Sequence, residues 1–428
     1  MNQRYRDGLY LLLMGCAVFL FLGIGMENAS STPMVDFKVL YYPTRSLLEH
    51  QDPYQESAVL RLYQAEGAYH QLDTPKILQI VSRCVYLPSA FSIAAPFALL
   101  PWGPAHLLWM AFTIGSLIFA SFLIWKIGAS YAPVLSGFLV GLFLINSGDL
   151  VALSNAAGIA ISLCVVAVWC FTRRRFIAVG VICLAVSLAL KPQDAGLVWL
   201  HFLFSGNHYR KYALQTLLAA LVISAPGLLW TSHVAPNWLQ EWHSNVNAFS
   251  ARGGLSDPGP ASTGRYGFGM MVNLPVILSY FKDDPHFYNP ASYLIVALSF
   301  LLLIFVALRY RSHERETWLA VASTAALTML PVYHRQQDTK LLLLMVPACV
   351  MLWSSGGLMT KWLALSLTVA GIILTGDFLW IVLDVVLKLP LPLTVRIFPI
   401  PLTLLAIGWF YLWIYAAQSR KKRSIEAG

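Results

Sequence analysis

The chain has 428 residues, of which 58% are hydrophobic and only 11% charged. That is too few charges to clothe a soluble globule of this size, which leaves a multi-pass membrane protein. A net charge of +9 would suggest nucleic acid in a soluble chain, but here the basic residues sit in short stretches between apolar runs and report topology instead.

The first apolar run, Gly8 to Met26, follows Arg4 and Arg6 and has no small-x-small cleavage site after it, so it is expected as an uncleaved first span. The basic clusters Arg4/Arg6, Lys126, Arg173 to Arg175, His208 to Lys211, Arg309 to Arg315, Lys361 and Arg420 to Arg423 are assigned to the cytoplasm. Residues 85 to 101 are interrupted by Pro88, Pro96 and Pro101 with no basic cluster after them, and are expected as a re-entrant segment. Further spans are expected at 104 to 126, 131 to 146, 150 to 171, 176 to 190, 194 to 205, 212 to 231, 291 to 308, 317 to 333, 341 to 353, 362 to 383 and 395 to 417. The result is an all-α polytopic protein of about twelve transmembrane helices in one membrane domain, 1–428, with both termini cytoplasmic.

Two external loops are long. Residues 27–84 carry Asp36 and an amphipathic stretch, Tyr54 to Gly67, expected to lie on the external leaflet. Residues 232–290, rich in Gly, Ser, Asn and Trp, read as a flexible loop over a polar site, with Trp238, Trp242 and Tyr266 available to stack on a sugar.

This topology gathers charge on one face. Asp36, Asn146-Ser147-Gly148-Asp149, Lys191-Pro192-Gln193-Asp194 and the run His334 to Lys340 all come out outside, where polar groups beside hydrocarbon more often line a cavity than face lipid. Simpler readings stay open: Asp36 as a loop acid or cap, Asp149 and Asp194 as turn or cap residues, Lys191 as a snorkelling span end. His334-Arg335-x-x-Asp338-x-Lys340 is harder to set aside, since a short connector needs none of these charges. The six cysteines form no Cys-x-x-Cys pair and lie mostly in apolar runs, so they are expected to pack and no metal is expected. No Asp-x-Asp pair or Gly-rich phosphate loop stands in a nucleotide-binding context, which argues against a nucleotide-sugar donor or a cofactor.

Asp36-Phe37-x-x-Tyr41-Tyr42 with Leu47-Leu48 and Asp52-Pro53-Tyr54 resembles the first external loop of glycosyltransferase family 87. Pro88 to Pro101 with Trp109, Leu190-Lys191-Pro192, and Tyr333-His334 with Asp338 and Leu341 to Leu343 follow in the family's order, over roughly residues 30 to 350. The resemblance implies a GT-C architecture and transfer of mannose or another hexose from a polyprenyl-phosphate donor to a glycolipid or glycan acceptor. It also implies inversion, on the external face of a bacterial plasma membrane. It makes Asp36 the catalytic base and gives His334 to the donor phosphate. Charge alone adds Arg335, Lys340 and Lys191 as phosphate partners. Asp338, Tyr41, Tyr42 and Asp149 are expected in support. The rival from another class is a transporter or flippase of a lipid-linked sugar, which would also be a many-span bundle with buried charge; the absence of an internal repeat disfavours it.

Overall fold

A computed structural model describes residues 2–30, 33–66, 74–259, 271–309, 314–382, 386–388 and 399–426. Among the described residues there is no strand, only an isolated bridge between Met271 and Arg335. In chain order the helices are α1 (Gln3–Ala29), α2 (Val35–Leu48), α3 (Glu56–Ala65), α4 (Pro75–Ser82), α5 (Pro88–Ala98), α6 (Trp102–Ala129), α7 (Pro133–Ile145), α8 (Asp149–Ala152), α9 (Ala156–Arg173) and α10 (Ile177–Leu190). They continue with α11 (Pro192–Phe204), α12 (Asn207–Val234), α13 (Trp238–Ser250), α14 (Leu274–Leu278), α15 (Pro285–Arg309), α16 (Glu314–Thr328), a 3₁₀ helix (Gln336–Leu344), α17 (Met345–Ser355), α18 (Leu358–Leu374), α19 (Asp377–Ile381) and α20 (Pro399–Glu426).

Each of the twelve expected spans holds a helix, but not every one is a full crossing. Among the described residues seven stretches are long and apolar enough to cross a membrane, and α10, α18 and residues 400–416 of α20 are shorter apolar helices. The expected spans 194 to 205 and 317 to 333 fall on α11, of 13 residues, and α16, of 15. At about 1.5 Å per residue both are short of the roughly 30 Å hydrocarbon core. They serve instead as inner helices, packed on each other, with α16 also against the 3₁₀ helix. The outer helices are recognisable by exposed apolar side chains, such as Leu218 and Leu229 on α12 and Leu294 and Leu301 on α15, the faces that meet lipid.

α1 and α7 approach closely along their length, and small residues permit it. Gly8, Leu12, Gly15, Phe19, Gly23 and Glu27 form the one buried stripe of α1. A Cβ at Gly15 would overlap the Cα of Gly141, and one at Gly141 would lie 2.8 Å from the Leu11 carbonyl oxygen. Small residues are how helices gain contact in lipid, where burial gives little drive to associate. Replacing Gly141 by Leu is therefore expected to destabilise the protein by about 1–3 kcal/mol through overpacking. Gly25→Leu, where the added carbon meets nothing within 4 Å, is the control. Thermal unfolding in detergent measures both; equal midpoints would refute the packing argument.

Two expectations change. The amphipathic stretch is helix α3, but its apolar face (Ala58, Val59, Leu62, Tyr63) is buried in protein against α2 and α4, not laid on the leaflet. Lys38 also joins α2 to α3, its ammonium donating to the Tyr63 hydroxyl at 3.3 Å. Within 232–290, α13 is a regular helix, and its side chains tie it down. The Trp242 indole donates to the Val85 carbonyl at 2.9 Å, and the Asn245 amide donates to Tyr54 and Cys84 carbonyls at 3.1 and 3.2 Å. Tyr266 lies outside the described residues.

Candidate active site

Asp36 is placed by the turn that precedes it. Met34 takes a left-handed conformation, φ 53°, and so does Ser154, φ 48°, each costing about 1–2 kcal/mol for a side chain with a Cβ. Between them run two backbone bonds: Met34 N–H donates to the Ala152 carbonyl at 2.9 Å and Asp36 N–H to the Leu153 carbonyl at 3.2 Å. An aromatic brace closes the frame. Phe37 stacks on Trp109 with ring centres 4.5 Å apart, and the Trp109 indole donates to the Ser154 carbonyl at 3.0 Å. The start of α2 and the start of α9 are thus locked together, and Asn155 lies beside Asp36. The Asn155 amide donates to Oδ2 of Asp36 at 2.8 Å.

Lys191 is placed by a helix break. Pro192 opens α11, and Lys191 between α10 and α11 leaves the helical region, φ −152° and ψ 78°, since the residue before a proline is disfavoured there. Its ammonium approaches the Asn155 carbonyl oxygen at 3.3 Å, pairs with Asp338 and stands 3.6 Å from Asp194. Behind it, Nδ1 of His334 lies 3.3 Å from Asp194 and 3.4 Å from Asp338. Asp338 also accepts the Arg335 backbone N–H at 2.8 Å.

Burial works against charge on His334, but the Asp194 and Asp338 carboxylates outweigh it and hold the imidazole up at about 9. With His334 protonated, two carboxylates face two cations and the buried cluster balances. Asp194, His334 and Asp338 lie close enough to share a metal ion, and the Lys191 ammonium stands beside both carboxylates. The raised value fixes a sign. Stability from His334 is fully present below its unfolded value near 6.5 and is lost as pH rises through about 9. The thermal midpoint in detergent is expected to fall across that window, and His334→Gln to flatten the fall; an unchanged slope would count against the charged imidazole.

A cavity of about 880 Å³ opens onto this cluster, within the size range of small-molecule sites. Its polar end is formed by Asp36, Tyr86, Asn155, Lys191, Arg335 and Asp338. Val85, Leu87, α13 and the start of α15 add further wall, among them Trp242, Tyr288 and Tyr293, as do Leu255, Ser256 and Pro258, and Asn273, Pro275, Val332 and Tyr333. Tyr288, Asn289 and Tyr293 bring the start of α15 into the wall, and the same helix carries exposed apolar side chains such as Leu294 and Leu301.

Residues 85–333 match the family model of glycosyltransferase family 87, more than half of the chain. The chain belongs to glycosyltransferase family 87. It is accordingly a membrane glycosyltransferase. No curated protein and no solved structure matches it.

In this family 87 chain the residues expected at one site divide among four places. Asp36, Lys191, Arg335 and Asp338 meet at the cavity. His334 is fully buried and lies behind the wall, touching carboxylates and not the cavity. Lys340 and Asp149 belong to a separate interior cluster: the Lys340 ammonium donates to the Asn146 and Thr375 carbonyls at 2.6 and 3.2 Å and stands 3.6 Å from Asp149. Asp377 completes that cluster, accepting the Asp149 backbone N–H at 3.1 Å. The reason is local geometry. Asp338 and Lys340 are two residues apart on a 3₁₀ helix, where each step turns about 120°, so they project to different sides. Tyr41 and Tyr42 likewise lie about 140° and 120° around α2 from Asp36. They bond the Leu100 and Glu66 carbonyls at 2.7 and 3.3 Å.

Trp242 lines the cavity, whereas Trp238 stacks on Tyr54. One residue of the site escaped the sequence reading. Asn155 had only the signature of a helix N-cap, and it is one, accepting the Ala157 N–H at 2.8 Å. Asp194, expected among the charges gathered on one face or as a turn or cap residue, packs against Lys191 and His334.

Proposed function

We propose that this protein transfers a sugar, mannose or another hexose, from a polyprenyl-phosphate donor to a hydroxyl of a glycolipid or glycan acceptor. The site works at the extracytoplasmic face of a bacterial plasma membrane, within a GT-C architecture. The observation that supports this most directly is Asp36 together with two fixed cations, Lys191 and Arg335, at the polar end of a cavity whose wall includes the start of α15; the second carboxylate there, Asp338, is paired with Lys191. Asp36 Oδ1 takes the proton of the acceptor hydroxyl as its oxygen attacks the anomeric carbon. The bond from that carbon to the phosphate oxygen breaks, and the polyprenyl phosphate leaves with the electron pair. A single displacement inverts the anomeric centre. A glycosidase pair, two carboxylates flanking the bond, is not the arrangement here, since Asp338 is already paired with Lys191.

The leaving phosphate gathers charge and needs preset cations. Lys191 and Arg335 stand at the cavity surface and are the partners we assign; His334 supports them by balancing Asp194 and Asp338. The prenyl chain leaves past Tyr293 along α15.

Reconstituted in liposomes with a panel of polyprenyl-phosphate sugars and a mixed glycolipid extract, the protein is expected to add one sugar mass to an acceptor lipid, read by mass spectrometry. No transfer from any donor would overturn the proposal. Movement of labelled donor across the bilayer without transfer would replace it by transport.

A further inference from the structure

We propose that Asn155 is a positioning residue for Asp36, holding one carboxylate oxygen so that the other faces the acceptor hydroxyl; the inference rests on Asp36 being the base.

The argument begins with which way the Asn155 amide points. Its carbonyl oxygen caps α9, accepting the Ala157 N–H at 2.8 Å, and also receives the Lys191 ammonium at 3.3 Å. Both are donors, so a flipped amide would set two donors against its NH₂ group and lose both bonds. The NH₂ group is therefore committed to the other side, where it donates to Asp36 Oδ2 at 2.8 Å. Among the described residues no hydrogen bond reaches Oδ1, and Asp36 lines the cavity. One oxygen is clamped and the other is presented.

The clamp also carries electrostatic weight. Burial pushes the Asp36 carboxyl above its ordinary value, while the Asn155 bond and the charges of Arg335 and Lys191 pull it back; Asp338 pushes upward again. Tyr86 also faces the carboxyl from the segment before α5. Among these groups Asn155 is the one that hydrogen-bonds the base directly. Removing it should leave Asp36 harder to ionise, so the acid limb of the pH profile should move to higher pH.

A cap-only role predicts something different, and Asn155→Ser separates the two. Serine caps a helix about as well as asparagine, so α9 keeps its start, but the hydroxyl satisfying the cap leaves no amide for Asp36. With the panel donor that the wild type uses and the glycolipid extract, kcat/KM is measured against pH for the wild type, Asn155→Ser, Asn155→Ala and Asp36→Asn, each with its thermal midpoint in detergent. We expect Asn155→Ser to keep a near-native midpoint, to lose about tenfold or more in kcat, and to shift its acid limb upward. Asn155→Ala should show the same shift with a lower midpoint. An Asn155→Ser profile matching the wild type, while Asp36→Asn is inactive, would overturn the positioning role and leave the base assignment standing. Full activity in Asp36→Asn, or no transfer by the wild type, would overturn both.

Discussion

Asp36→Asn is expected to lower kcat for sugar transfer by about 10²–10⁴, the usual contribution of a positioned general base, with donor KM changed only a few-fold. The substitution keeps shape and the bond partner, because Asn155 can still donate to the retained carbonyl oxygen, and the Phe37–Trp109 brace is untouched. What is lost is the capacity to accept a proton. Initial rates across donor concentration in liposomes, with a thermal midpoint to confirm folding, provide the check. A folded Asp36→Asn protein at wild-type rate would remove Asp36 from the chemistry and send the search to Asp338, the next carboxylate at the cavity.

Lys191→Met should have the largest effect on the protein itself. The lysine sits between Asp338 and Asp194 in a buried cluster, and methionine fills similar space without charge. Two carboxylates would then face His334 alone. Stranding a buried charge in this way costs about 3–5 kcal/mol, enough to lower expression and the thermal midpoint together. The double change Lys191→Met with Asp338→Asn removes one charge of each sign and should recover part of that stability. It should not recover transfer, since a cation has gone from the cavity. Equal midpoints for the single and double variants would show that the pair is not energetically coupled. Lys191→Arg is a poor control, because the planar fork cannot reproduce a point charge meeting Asn155, Asp194 and Asp338 together.

Hydropathy and basic clusters located a helix at every expected span, because length and charge placement are one-dimensional properties that the bilayer reads directly. They did not fix which way each helix faces. Lys340 and Asp338 stand two residues apart in one polar run, yet turn to different clusters. Asp149 and the tyrosines of α2 went astray for the same reason. A shared depth says nothing about rotation about a helix axis. The α3 stretch shows a second limit: an amphipathic pattern announces an apolar face without naming what covers it, and here α2 and α4 do. Asn155 was hidden by its second job, since a cap residue is fully explained by its own helix until the neighbouring carboxylate is seen.

The 3₁₀ helix from Gln336 to Leu344 has a consequence for how this segment can change. Its neighbours surround it: α9 and α16 pack on it, Asp338 is committed to Lys191 on one side, and Lys340 to the Asn146 and Thr375 carbonyls on another. Removing or adding a single residue before Asp338 would rotate everything beyond by about a third of a turn, exchanging the roles of adjacent side chains. Substitutions here should have graded effects, but a change of length by one should be all or nothing. The segment behaves like a key whose teeth are cut on different sides, tolerant of wear on any tooth and intolerant of a shift in spacing.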